Sequence, residues 1–288
     1  MAASPSVVVS LPPLHSLAAA IMGDTGAPHL MLRGGRSPHN AALRPSDLRR
    51  LRDATLVVWV GPTLENFLAK PLAAINKKST IITLLDLEPI KRLARRTGRS
   101  WEKHDHEAPR GLSDRLIDPH VWLSPTNAAA IARSVADALI SQDPANAVSY
   151  KNNAKSLVDR IGSLDFTLKK SLIPVRRAPY LVFHDAYQYF ERHFGLKALG
   201  AISISPERRP GARRIADIRQ RVEQSGVQCV FREPQFPPRT INTIIKGTKA
   251  RIGILDPLGA AIQPGPDLWF KMMSGLGEAL VGCLGGRS

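Results

Sequence analysis

Between Pro144 and Pro174 the chain runs without a proline, and Val148, Leu157, Val158, Ile161, Leu164 and Leu168 return near a helical period. Asp143-Pro144 reads as a helix start, with the aspartate as cap and the proline in the first turn. Pro174 ends the run. A helix of about 28 residues would span about 42 Å, more than an ordinary domain helix. Whatever this chain folds into must be arranged around that rod. The strand-like runs before it and after it form two similar sets. The pattern predicts an N-terminal α/β lobe over residues 1–142, a linker helix over 143–173 and a C-terminal α/β lobe over 174–288. The alternative is one continuous α/β domain with a long surface helix.

Within each set, short β-rich runs alternate with helical patterns. Val7 to Ser10, Thr55 to Val60 and Thr80 to Leu85 read as buried strands, as do Tyr180 to Phe183, Ala198 to Ile204, Gln228 to Phe231 and Arg251 to Leu255. Leu14 to Met22, Ser46 to Arg52, Thr63 to Ile75 and Gly211 to Gln224 read as helices. This alternation predicts βα units around mostly parallel sheets.

The net charge of +16 invites a nucleic-acid or anionic-membrane reading. The basic residues are grouped at Arg49, Arg50 and Arg52, at Lys91, Arg92, Arg95, Arg96 and Arg99, and at Arg208, Arg209, Arg213, Arg214, Arg219 and Arg221. No aromatic residues interleave with them as a stacking platform requires, so the groups read as solvated faces and no nucleic-acid partner is expected. The longest apolar stretch, Leu268 to Leu284, is broken by Lys271 and Glu278 and does not read as a membrane span. No signal peptide is visible, since Met1 leads almost directly into Val7-Val8-Val9. That fits either a cytosolic protein or one whose leader was replaced by a start methionine. The two cysteines, Cys229 and Cys283, are either free thiols or one disulfide joining a strand to the last helix.

Three of the eight histidines sit where rigid neighbours constrain them. His39 follows Pro38, His120 follows Asp118-Pro119, and His184 ends the strand Tyr180-Leu-Val-Phe. Asp256 likewise ends the strand Arg251-Ile-Gly-Ile-Leu. Their spacing is far too long for a finger or a His-Glu-x-x-His helix. It suits one ligand at the carboxyl end of each of several strands, the edge where open α/β sheets bind ligands. Two candidates precede the long helix and two follow it, so a metal held by all four would lie between the lobes. His15, His29 and His193 have no such context and are read as packing or surface residues. No Ser-His-Asp arrangement, phosphate-binding glycine loop or paired-acid motif is evident.

The motifs Ser37-Pro-His-Asn with Leu43-Arg-Pro-Ser-Asp, Val58-Trp-Val-Gly-Pro, Asp118-Pro-His-Val-Trp-Leu-Ser-Pro, Phe183-His-Asp-Ala-Tyr-Gln-Tyr-Phe, Glu233-Pro-Gln-Phe and Leu255-Asp-Pro-Leu-Gly carry a resemblance. The chain resembles the ZnuA/TroA-type (cluster A-I) zinc and manganese solute-binding proteins of ABC importers, closest to the ZnuA branch. The likeness runs from Leu14-His15-Ser16-Leu17 to Cys283. It implies that His39, His120 and His184 are metal ligands and that Asp256 stands where many members place a carboxylate ligand. It also implies a Cys229–Cys283 disulfide, a periplasmic location, a monomer, and a membrane permease as partner.

Two departures from the family pattern bear on the site. The long His- and acid-rich loop of ZnuA-type proteins shrinks here to Glu102-Lys-His-Asp-His-Glu107, so His104 and His106 are either zinc recruiters or part of a solvated loop. Pro38 occupies the place where some members carry a carboxylate, which leaves Asp256 or a water as fourth ligand. Three imidazoles with one oxygen suit Zn²⁺, whereas manganese prefers more oxygen ligands. The expected function is high-affinity capture of Zn²⁺ between two lobes, without catalytic turnover, and delivery to an ABC importer for uptake. Alternatives are a manganese or other divalent-metal carrier of the same family, or a zinc-dependent hydrolase with Glu233 as base. Asp118, Asp185 and Glu233 are candidates to orient the rings, and the stiff helix is expected to limit hinge bending.

Overall fold

The computed structural model describes residues 4–33, 35–75, 79–96, 117–203 and 211–286. Gly34, Asn76, Lys77, Lys78 and residues 97–116, His104 and His106 with them, lie outside the described residues, as do 204–210. Among the described residues the chain forms two four-stranded sheets with every strand pairing parallel. The first holds β1 (Val7–Val9), β2 (His29–Leu30), β3 (Leu56–Trp59) and β4 (Thr80–Thr83) in the order β2-β1-β3-β4. The second holds β5 (Tyr180–His184), β6 (Ala201–Ser203), β7 (Cys229–Arg232) and β8 (Arg251–Ile254) in the order β6-β5-β7-β8. The two orders are the same pattern repeated, so each lobe is the same doubly wound unit with its ligand-binding edge at the strand carboxyl ends. The α/β two-lobe architecture expected from the alternation is therefore present.

The lobes are covered by α1 (Pro12–Met22), α2 (Pro45–Asp53), α3 (Asn66–Ala73) and α4 (Pro125–Gln142), then by α5 (Ala147–Ser171). They continue with α6 (Gln188–Phe194), α7 (Ala212–Gln224), α8 (Arg239–Ile245) and α9 (Leu268–Leu284). The rod seen in the sequence is α5, which has 25 residues and a length of about 38 Å. Its first residues differ from expectation: Pro144–Asn146 form a separate 3₁₀ turn. Asp143 caps nothing in α5 itself; its carboxylate accepts from Asn146 Nδ2 and the Tyr150 hydroxyl, each at 2.8 Å. One face of α5 is buried through Tyr150, Ala154, Leu157, Ile161 and Leu168. Gly277 of α9 lets that helix come close, since a Cβ there would meet Leu168 Cδ2 at 2.5 Å.

The two lobes are not separate globules. One apolar cluster runs from Val7, Val9 and Leu14 through Leu157 and Ile161 to Tyr180, Phe190 and Trp269. Smaller clusters fill the outer face of each sheet. Polar contacts also cross between lobes. Trp122 Nε1 donates to the Pro257 carbonyl at 2.7 Å, and Trp269 Nε1 donates to the Trp122 carbonyl at 2.9 Å. Ser16 Oγ donates to the Pro266 carbonyl and accepts from Trp269 N. Separating the lobes would expose a shared core and break these bonds, so wide opening is costly. No helix among the described residues is long and apolar enough to cross a membrane.

Cys229 on β7 and Cys283 on α9 form a disulfide, with Cα atoms 6.2 Å apart and a sequence separation of 54. It fastens the terminal helix to the second sheet. In the chain-entropy model a loop of this size is stabilised by about 4 kcal/mol. The Cys229→Ala/Cys283→Ala double variant is expected to lose about 2 to 4 kcal/mol of unfolding free energy in urea titration. Reductant should then affect the wild type and leave the variant unchanged.

Candidate metal centre

Three segments bring one imidazole each to the cleft between the sheets. His184 is the last residue of β5, fixed by the parallel ladder in which it pairs with Ser203. His120 precedes a 3₁₀ turn, Val121–Leu123, that leads into α4. That turn is held by capping chemistry written in the sequence. Ser124 Oγ accepts from Asn127 N, and Asn127 in turn grips both backbone groups of Lys91 and the Val121 carbonyl. His39 lies in the loop between β2 and α2. Its backbone N–H donates to Ser37 Oγ at 3.3 Å. The loop is closed by Asp47, whose carboxylate accepts from Arg44 N at 2.8 Å, with Pro45 in the first turn of α2.

Each of His39, His120 and His184 offers a ring nitrogen, and these atoms all lie within 4.8 Å of one another. The ring centroids are 5.7 Å apart for His39–His120 and His39–His184, and 5.3 Å apart for His120–His184. His120 Nε2 and His184 Nε2 are separated by 3.4 Å. A tetrahedral zinc with nitrogen ligands sets neighbouring nitrogens about 3.3 Å apart, so this pair already stands at the edge length a metal requires.

The tautomers follow from the partners. His120 Nδ1 lies 2.7 Å from Asp118 Oδ1, and His184 Nδ1 lies 2.6 Å from Glu233 Oε1. An ionised carboxylate only accepts, so each Nδ1 carries the proton and each Nε2 presents a lone pair inward. Two lone pairs facing one another at 3.4 Å repel unless a cation or proton lies between them. Electrostatics follow the same logic. Burial, with His120 and His184 beside it, holds the His39 pKa well below 6.5. Burial and the His184 charge do the same to His120. Burial also pulls His184 down, but the charge and hydrogen bond of Glu233 outweigh it, and its pKa lies above 6.5. Burial raises Asp118 to about 6, which leaves it mostly ionised at neutral pH.

The pocket is lined by the three imidazoles with Pro38, Trp122, Glu233, Gln235 and Phe236. Its free volume is about 20 Å³, room for an ion and water and too little for a larger organic solute. The structure brings together His39, His120 and His184. It does not bring Asp256 into their group. The Asp256 carboxylate instead accepts from Gln235 Nε2 at 2.9 Å, Leu258 N at 3.1 Å and Ala260 N at 2.6 Å. Of the acids adjacent to the histidines, Asp118 does orient its neighbour and Asp185 does not. Asp185 and Glu191 together hold the Arg96 guanidinium, which reaches across from the first lobe. His15, His29 and His193 lie outside the cluster; His15 Nε2 meets the Pro28 carbonyl and His193 Nε2 meets Asp165.

The sequence reading missed Gln235 as a pocket residue and Arg96 as the tie between lobes. Gln235 had one signal, its place two residues after Glu233 in the turn that closes β7.

Comparison with known proteins places the chain in a family. The family model described as "ZnuA: Zinc-uptake complex component A periplasmic" matches residues 7–283. A high-affinity zinc uptake system protein ZnuA of Brucella abortus (strain 2308) is 38% identical over an alignment covering 96% of this chain and 91% of the relative. One from Yersinia pestis is 39% identical over 98% of this chain and 92% of its own length. A crystal structure of ZnuA superposes with a TM-score of 0.80 at 25% identity, over 98% of this chain and 99% of that one. The chain belongs to the ZnuA family of periplasmic zinc-uptake components.

Proposed function

We propose that this protein captures Zn²⁺ on His39, His120 and His184 and delivers it to the permease of an ABC importer. The observation that carries the reading is the convergence of three imidazole nitrogens within 4.8 Å from three distant segments. Two of them are pre-oriented by buried carboxylates. Three neutral imidazoles with one open position favour zinc over manganese, which takes more oxygen ligands. A water fills the fourth position, because Asp256 does not join the cluster of imidazole nitrogens and its carboxylate is turned to Gln235, Leu258 and Ala260.

The protein acts as a periplasmic carrier without turnover, working as a monomer. A hydrolytic zinc site needs a general base free to take a proton from the bound water. Glu233, the base considered from sequence, is buried and spent on His184 Nδ1. Arg49, Arg50 and Arg52 of α2, and Arg213 and Arg219 of α7, are solvent-exposed, as solvated faces are, whereas Arg96 of the second basic group is half-buried against Asp185 and Glu191.

His120 and His184 are anchored on rigid elements, while His39 rides a loop. Release therefore proceeds by displacement of the 35–44 loop with the lobes still closed. Docking of the permease supplies the work, since the shared core resists opening.

Zinc titration against a competing chelator checks the reading. His120→Ala and His184→Ala are expected to weaken binding by roughly a hundredfold or more, since each removes a ligand from a three-imidazole site. His39→Ala should weaken it comparably. Unchanged affinity in any two of these variants would overturn the assignment.

The pH dependence has a defined order. His184, whose pKa lies above 6.5 because burial is outweighed by Glu233, takes up a competing proton before the other two as pH falls, so affinity drops there first. His39 and His120 add competing protons only in more acid solution, well below 6.5. Between about pH 7.5 and about pH 5 the apparent affinity should fall, by up to tenfold per unit for each competing proton. A flat profile would reject imidazole ligation.

A further inference from the structure

Gln235 follows β7 and lines the same pocket as the three imidazoles. Its amide is asymmetrically used. Nε2 donates to Asp256 Oδ1 at 2.9 Å. A carboxylate accepts and does not donate, so this contact fixes which end of the amide is nitrogen. The other end, Oε1, is buried and has no hydrogen-bond partner among the described residues. An unpaired buried carbonyl oxygen is destabilising, so a group held this way calls for a donor. Asp256 holds the amide firmly, because its own carboxylate is locked by the backbone N–H groups of Leu258 and Ala260.

We infer that Gln235 is a positioning residue whose Oε1 accepts a hydrogen bond from the water completing the zinc tetrahedron, with Asp256 orienting the amide. The inference rests on the proposed zinc site and deepens it. A water bound to Zn²⁺ is a stronger donor than bulk water, and a neutral amide oxygen is a good acceptor but a poor zinc ligand beside three imidazoles. The arrangement gives Asp256 a role without coordination. Its charge reaches the metal through the amide and the water, and the metal keeps an exchangeable oxygen ligand. A cargo ion that must leave again is better served by that ligand than by a direct carboxylate.

The test is Gln235→Leu, which keeps the approximate volume and removes the acceptor. Zinc affinity is measured by chelator competition, the apo thermal midpoint by circular dichroism, and the donor set by the visible spectrum of the Co²⁺-loaded protein. The expected result is an affinity loss of roughly tenfold to a hundredfold, the range for residues that orient a metal's ligands. The Co²⁺ band positions should stay at wild-type values, because the donor atoms are the same, and the apo midpoint should not fall, because leucine removes the unpaired buried oxygen together with the Asp256 contact. Unchanged zinc affinity would overturn the inference. A shift of the Co²⁺ bands would also overturn it, by showing that Oε1 had been a ligand itself. If leucine lowers the apo midpoint, Gln235→Met, unbranched and equally without an acceptor, is read in its place. Wild-type protein that binds no zinc, or whose affinity ignores the histidine substitutions, sinks the carrier reading itself. That result is distinct from one in which the wild type binds normally and Gln235→Leu binds equally well.

Discussion

Asp118 and Glu233 each accept a hydrogen bond from the Nδ1–H of a histidine and leave its other nitrogen bare toward the same point in space. Every property of the site follows from that pairing. It selects the tautomer, stops ring rotation and makes the facing nitrogens costly to leave without a cation. The pairing depends on burial, since exposed carboxylates near exposed imidazoles gain little from one another. Asp118 is 2% exposed and Glu233 1%, which places both in surroundings where the interaction is strong. The fold exists, in this sense, to bury two acids behind two bases and to bring a third base to the same cavity.

The frame that does this is stiff. α5 packs against both lobes through a core shared by the two sheets, and Trp122 and Trp269 stitch the lobes together at their backbones. Arg96 adds a charged tie, its guanidinium held by Asp185 and Glu191 of the second lobe. Tyr189 adds another, its hydroxyl accepting from Leu93 N and donating to the Asp118 carbonyl. These contacts fix the Asp118 to His120 segment relative to β5, and so set the distance between two of the three imidazoles. His39 sits in a loop, whereas His184 ends a strand and His120 opens a 3₁₀ turn leading into α4, which places the capacity for motion on the His39 side.

Much of this was legible in the sequence because it rests on local pattern. The period of the Val148 to Leu168 run announced α5, and the strands announced themselves by short β-branched runs such as Leu56 to Trp59. β2 was not visible, because two residues, His29 and Leu30, carry no period. α4 was passed over because its face is made of alanines, which give a weak contrast between buried and exposed sides. The histidines stood out by their position after prolines or at a strand end. Their partners were less readable. Asp118 could be tied to His120 by adjacency, yet the same argument applied to Asp185 fails, since that side chain turns to Arg96. Glu233 reaches His184 across 49 residues, a contact that only the parallel pairing of β5 with β7 creates. The use of Asp256 to hold Gln235 and a backbone turn is a matter of a few ångströms, which no spacing encodes.

X-ray absorption at the zinc edge of the protein loaded with one equivalent of Zn²⁺ is the most direct measurement of the central claim. Three imidazole nitrogens and one oxygen at about 2.0 Å, with the outer-ring scattering of three histidines, are what the proposed site predicts. A spectrum with fewer than three imidazoles, or one dominated by oxygen ligands at longer distance, would contradict it.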